Sequence, residues 1–232
     1  MSRNQPDWLW DEMRQVGTDY ADVAEVAAYD ARMAQVRDVD RENAGILRLL
    51  GLPKGADVLE IGCGTGRFAL AAARAGMRTT AIDVSGAMVD YVRARAEQDG
   101  LAGLSAHRCG FLTMPFADGS FDAVVSGLAL HHLSDAWKLV ALRNVARVLR
   151  PGGQLLLKDV VFSVADGEEP EQALERFVEA FPKMRTEVAR HVAREFSTFS
   201  WIMEGLLQRA GFAILSAVSP GEAIMVYHGR RR

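Results

Sequence analysis

The chain has 232 residues, 49% of them hydrophobic, enough to bury the core of one sizeable α/β domain and too apolar for global disorder. A formal net charge of −3 leaves no electrostatic footprint for nucleic acid, and the one basic cluster, "GRRR" at 229–232, reads as a solvated end. Cys63 and Cys109 form neither a disulfide framework nor a CxxC zinc motif, no apolar run reaches the roughly 18 residues of a membrane helix, and "MSRNQPDWLW" lacks the pattern of a secretory signal. The expectation is a cytoplasmic monomer or homodimer with no metal and no membrane or nucleic-acid partner.

Residues 1–50 carry helical patterns, among them "EVAAYDARMAQV" and "RENAGILRLLG", and no convincing strand. From residue 57 onward short β runs alternate with helical ones. "DVLEIG" reads as a first strand, "RFALAAARAG" as a helix closed by Gly76, and "TTAID" as a second strand. "GAMVDYVRARAEQDG" is an amphipathic helix, followed by the strands "LSAHRC" and "SFDAVVSG". A helix over 135–149 stops before Pro151 and the turn at Gly152 and Gly153, and "QLLLKDVV" is a fifth strand. A charged helical stretch, 166–194, and the helix "STFSWIMEGLLQRAG" come next. "FAILSAV" and "EAIMVYHG" end the chain as an antiparallel pair about a turn at Pro220 and Gly221. Regular β-α alternation implies a parallel sheet covered on both faces.

The first strand runs into "EIGCGTG", an E-x-G-x-G-x-G spacing over 60–66. Glycines cost backbone entropy in a strand-to-helix turn, so three at this spacing point to a close approach by something. A phosphate loop is excluded because Arg67 and Phe68 stand where GK[ST] is needed, and a dinucleotide fingerprint needs its third glycine one residue later than Gly66. Asp83 ends the second strand, where an acid can accept both hydroxyls of a ribose. Two carboxylates flanking an open turn suit a ligand with an ammonium, a ribose and no phosphate.

Over roughly 55–158 the sequence resembles the class I S-adenosylmethionine-dependent methyltransferases. "VLEIGCGTG", "AIDVSGAMV", "MPFADGSFDAVVSGLALHHL" and "VLRPGGQLLLKD" are similar to that family's ordered motifs. The resemblance implies a Rossmann-like, seven-stranded, mainly parallel α/β sheet with an antiparallel C-terminal strand pair. It also implies one domain over 1–232, comprising a helical N-terminal cover (1–50), a cofactor-binding core (51–160), an acceptor-side helical insertion (161–205) and a C-terminal part (206–232).

The cofactor implied is S-adenosylmethionine, leaving as S-adenosylhomocysteine. Glu60, Gly62, Cys63, Gly64 and Gly66 would surround its amino-acid end, and Asp83 would take the ribose. Val84 and Met88 would flank the adenine, although Met88 also suits ordinary core packing. Relatives carry an acid near the end of strand three that binds the adenine amino group; here Gly110 stands in its place, with Phe111 as an apolar wall. Leu128 falls in the fourth motif beside the cofactor. Tyr29 would reach the cofactor from the cover or serve as a buried aromatic. His131 and His132 would act as base or orient the acceptor, or merely pack, and Asp159 would point into the cleft. His191, Glu195, Phe196 and Trp201 would form the acceptor-side wall, with Trp8 and Trp10 packing in the lid. The acceptor implied is a small molecule, neutral to moderately apolar. The competing reading is a non-catalytic protein that binds the same cofactor.

Overall fold

The computed structural model describes residues 7–14, 26, 30 and 38–232. Of the expected helix over 25–36 only Val26 and Asp30 are therefore described, and Tyr29 lies outside the described residues.

Helix α1, Val39–Leu50, is started by Asp38, whose side chain accepts from the Arg41 N–H at 3.0 Å, and is ended by Gly51 in the left-handed region. Strand β1 is Asp57–Ile61, helix α2 Arg67–Arg74 and strand β2 Arg78–Asp83. Helix α3, Gly86–Gln98, is capped by Ser85, which accepts from the Met88 N–H. Strands β3, Leu104–Arg108, and β4, Phe121–Gly127, follow, then a short 3-10 turn, Leu130–His132, and helix α4, Asp135–Val148. Strand β5 is Leu149–Phe162. Helices α5, Pro170–Glu179, and α6, Arg185–Arg194, precede strand β6, Thr198–Phe199, helix α7, Ser200–Arg209, and strands β7, Phe212–Gly221, and β8, Ile224–Arg231.

The sheet runs β3-β2-β1-β4-β5-β8-β7, with β6 paired to β5 beside this path. Strands β1 to β5 are mutually parallel, and β8 and β7 are antiparallel. Chain order reverses between β1 and β4, which opens a crevice beyond their C-terminal ends. Along β1 alternate residues serve opposite faces. Val58 packs with Phe68, Ala123, Val125 and Leu156 under α1 and α2, while Leu59 and Ile61 pack with Val124, Leu142, Leu155 and Leu157 under α4. Glu60 shares the α2 face with Val58, so its carboxylate is carried beneath the start of that helix.

Four details differ from the sequence reading. A two-residue strand, β6, raises the count to eight; its pairing with β5 is long-range and leaves no local periodicity. Strand β5 starts at Leu149, because Pro151, Gly152 and Gly153 are absorbed as an irregularity where the register steps from Phe121↔Leu149 to Ala123↔Gln154. The stretch 166–194 is two helices broken around Pro182, with Pro170 and a Glu169–Gln172 capping box starting the first. The C-terminal hairpin turns at Glu222 and Ala223, the latter at φ +51, and not at Pro220 and Gly221.

The three glycines between β1 and α2 have different causes. Gly62 (φ +70) is pressed against Ala129, whose Cβ would lie 2.3 Å from an added methyl, and Gly66 (φ +74) against Val92 of α3. At Gly64 (φ +52) an added methyl would meet nothing within 4 Å among the described residues. One close approach by a ligand therefore does not explain all three: two glycines serve the packing of the protein itself, and among the described residues only Gly64 faces open space. Gly62→Ala is expected to lose about 2–5 kcal/mol of stability, the left-handed penalty plus overpacking, and Gly64→Ala only about 1–2 kcal/mol. Urea denaturation measures both; equal losses would contradict the distinction.

Candidate active site

The turn between β1 and α2 is closed by two acids. Glu60, buried, accepts from the Ala69 N–H at 2.9 Å, in the first turn of α2. Burial pushes its carboxyl up to about 8, against the Ala69 hydrogen bond and reinforced by Asp83. Asp83 accepts from Gly64 N–H at 2.9 Å through one oxygen and from Ser85 N–H at 2.9 Å through the other. Burial raises it too, opposed by those two bonds. Cys63 is buried, and burial followed by the charges of Asp83 and Glu60 drives its thiol well above the ordinary range, which makes it an inert packing group. Asp30 meets the same turn, accepting from Thr65 Oγ1 at 2.6 Å and pairing with Arg67 at 3.5 Å. Val84 is half-buried, and its carbonyl accepts from Arg108 Nε at 3.0 Å. Met88 is buried in the core.

Beyond β3 the chain supplies a group that sequence reading missed. Glu12, buried, accepts from Leu112 N–H at 2.9 Å and from Thr113 Oγ1 at 2.6 Å. Its Oε2 lies 2.4 Å from where a side chain on Gly110 would begin. A carboxylate from the N-terminal segment thus fills the space left by the absent acid at position 110. Burial raises its pKa against the Thr113 and Leu112 bonds. Phe111 is buried, its carbonyl accepting from Asn144 at 3.0 Å, and a cleft of about 390 Å³ opens beside Glu12, lined by Trp10, Met13, Arg108 and Cys109 among others. Nothing local in "PDWLWDEM" marks Glu12; only its pairing with a residue 100 positions away does.

At the ends of β4 and β5, Leu128 sits at φ +58, an uncommon conformation for a non-glycine residue, with its N–H donated to the Lys158 carbonyl at 2.7 Å. Asp159 does not line the cleft as the sequence suggested. It is fully buried, holding His131 Nδ1 at 2.5 Å and accepting from the His131 and Val160 N–H groups. The Nε2 of His131 faces Glu195 at 3.1 Å, and His191 Nδ1 faces the same Glu195 oxygen at 2.8 Å. Burial opposes the charged ring of His131, but Asp159 and Glu195 outweigh it and push His131 up to about 9. His132 goes the other way: burial, then the charge of His131, pull it down to about 4, so it is neutral near pH 7. Burial would raise Glu195 and Asp159, yet the histidines hold both carboxylates below their ordinary range.

The neighbouring segment is pinned to this cluster. Phe196 N–H donates to the His131 carbonyl at 2.9 Å, and buried Lys138 donates to the Phe196 carbonyl and to Asp135. Phe196 also meets Trp10 edge-on at 6.1 Å, while Trp8 stacks on Trp137. Of the residues expected to form an acceptor wall, His191, Glu195 and Phe196 gather here. Trp201 stands apart, 56% exposed and stacked on Phe199.

A family model described as a methyltransferase domain matches residues 58–153. The chain is 32% identical over 189 residues to an uncharacterised methyltransferase of Geobacillus kaustophilus, covering 81% of this chain and 82% of that protein. The chain belongs to the class I S-adenosylmethionine-dependent methyltransferase family. The chain is also 37% identical over 129 residues to an O-methyltransferase of Aspergillus sclerotiorum, covering 55% of this chain and 47% of that protein. It spans about half the length of the first relatives it matches. Its fold is similar to that of a geranyl diphosphate methyltransferase in complex with S-adenosylmethionine, at a TM-score of 0.69 and 14% identity, covering 94% of this chain and 97% of that one.

The buried Glu60 has a consequence for stability. The folded chain keeps its proton up to about pH 8, whereas the unfolded chain loses it near 4.5. The contribution is therefore complete below pH 4.5 and is lost as pH rises through 8. Glu60→Gln keeps the shape and an acceptor for Ala69 N–H without titrating. Between pH 5 and 8 the wild type is expected to lose stability relative to Glu60→Gln in urea denaturation. Parallel profiles would show that Glu60 is ionised in the folded chain throughout.

Proposed function

We propose that the protein transfers the methyl group of S-adenosylmethionine to a hydroxyl oxygen of a small, neutral to moderately apolar molecule. The observation that carries this reading is the turn at Gly64: a left-handed backbone with open space beside it among the described residues, between the buried carboxylate of Glu60 and the half-buried one of Asp83. In this reading Glu60 meets the cofactor's ammonium, and the unused lone pairs of Asp83 accept the ribose hydroxyls. Glu12 takes the part of the acid missing at position 110 and accepts from the adenine amino group, with Phe111 behind it. Family membership supports the cofactor, and the O-methyltransferase relative supports an oxygen acceptor.

The sulfonium is already an activated leaving group, so the chain's work is to align acceptor oxygen, methyl carbon and sulfur and to keep water away. Bound in this cleft, S-adenosylmethionine would supply an electrophilic methyl group; the acceptor oxygen would gain that methyl and release its hydroxyl proton to solvent, with S-adenosylhomocysteine as the other product. The neutral ring of His132 accepts a hydrogen bond from the acceptor hydroxyl, whereas His131, clasped between Asp159 and Glu195, positions Glu195. The near-neutral charge supports a small-molecule acceptor over nucleic acid, and among the described residues no helix is long and apolar enough to cross a membrane. The proposed setting is the cytoplasm.

Calorimetry with S-adenosylhomocysteine tests the cofactor placement. Gly64→Val, which puts a branched side chain into the open space, and Asp83→Ala are each expected to weaken binding by about tenfold or more, the equivalent of about 1.4 kcal/mol. Unchanged affinity in folded variants would overturn it. Methyl-labelled S-adenosylmethionine offered with pooled phenols and alcohols is expected to be consumed by the wild type and not by Asp83→Ala. Cofactor binding without consumption for any acceptor pool would favour the non-catalytic reading.

A further inference from the structure

His131 and His132 sit on the 3-10 turn after β4, and Glu195 lies 63 residues beyond the second of them, at the end of α6. Their donor atoms all lie within 4.8 Å of one another. We propose that these three side chains hold a first-row divalent transition cation of the zinc class, with coordination positions left open to an oxygen ligand.

The spacing fits such an ion. Donors about 2.0–2.2 Å from a tetrahedral cation lie roughly 3.3–3.6 Å from one another. Here His131 Nε2 is 3.1 Å and His132 Nδ1 3.8 Å from Glu195 Oε2, and all three donors lie within 4.8 Å of one another, so closing on an ion asks for movements of up to about an ångström, within the reach of side-chain rotation. The ring of His131 is already set for ligation: Asp159 at 2.5 Å fixes a proton on Nδ1 and aims Nε2 at the cluster, the carboxylate–histidine–metal arrangement of built metal sites. His191 steadies Glu195 through Nδ1 at 2.8 Å and is itself held through Nε2 by Ser197 Oγ at 2.7 Å.

An ion-pair network of His131 with its two acids accounts for the carboxylates but leaves His132 Nδ1 buried with no hydrogen-bond partner among the described residues. A buried nitrogen in that state costs free energy, and a cation resolves it. Two imidazoles with one carboxylate favour zinc, cobalt or nickel over magnesium or calcium, which take all-oxygen sites. The side chain of His132 is 35% exposed, so the cluster is reachable from solvent and an oxygen ligand can complete the coordination. On binding, the Nε2 proton of His131 is displaced to solvent. With the ion bound, His132 Nδ1 is a ligand and the acceptor hydroxyl meets the metal in place of the His132 ring; that this oxygen is the acceptor's rests on the methyl-transfer reading, and the metal site itself does not.

Cobalt(II) titrated into untagged, chelator-treated protein provides the test, followed by visible d–d absorption and by displacement with zinc. Saturable binding reversed by zinc is expected in the wild type. Glu195→Gln and His132→Phe are each expected to weaken it by about tenfold or more while leaving S-adenosylhomocysteine affinity, measured without metal, unchanged. No saturable cobalt binding, or equal binding by wild type and both folded variants, would overturn the proposal. Cofactor binding without metal binding defeats this inference alone; metal binding without cofactor binding defeats the methyl-transfer reading alone.

Discussion

Two carboxylates at adjacent strand ends hold one backbone turn. Glu60 from β1 takes the N–H of Ala69, and Asp83 from β2 takes the N–H of Gly64. Backbone donors at a helix start have no partner within the helix, so an acid beneath them satisfies a group that burial would otherwise leave unpaired. Glu60 is buried and Asp83 half-buried, and desolvation raises both toward the neutral form. A ligand that brings a positive charge and hydroxyl donors reverses that tendency. The same desolvation that makes these acids costly in the free protein makes them responsive to such a ligand.

The glycines are subordinate to this arrangement. The turn has to descend from β1, pass under Ala129 and enter α2 against Val92, and Gly62 and Gly66 allow those two contacts. Gly64 alone is left for whatever lies outside. The second half of the site is assembled differently, by side chains that tie the segment after α6 to the strand ends. Lys138 joins Asp135 to the Phe196 carbonyl, Thr198 Oγ1 donates to the other Asp135 oxygen at 3.0 Å, and Glu195 meets the histidines. These are polar, geometrically specific ties, and they fix where the acceptor-side segment sits relative to the crevice.

The β-α alternation was legible because each strand and helix carries its own local period, and the glycine turn was legible because E-x-G-x-G-x-G is contiguous. What escaped depends on contacts between distant positions. Thr198 and Phe199 form a strand only because β5 offers them an edge. Glu12 acquires meaning only beside Gly110, and the orientation of Asp159 is set by His131, 28 residues before it. Pro220 and Gly221 looked like the hairpin turn on composition, but the pairing of β7 with β8 carries the strand through them. The wall residues gathered as a group except Trp201, whose ring found a neighbour in Phe199.

The most direct measurement is a crystal structure of the protein grown with S-adenosylhomocysteine. The expected result is ligand density with the amino-acid end over Gly64 beside Glu60, the ribose hydroxyls on Asp83 and the adenine edge at Glu12. Density bound elsewhere, with Asp83 still closed on the Gly64 and Ser85 N–H groups and the space beside Gly64 vacant, would contradict it.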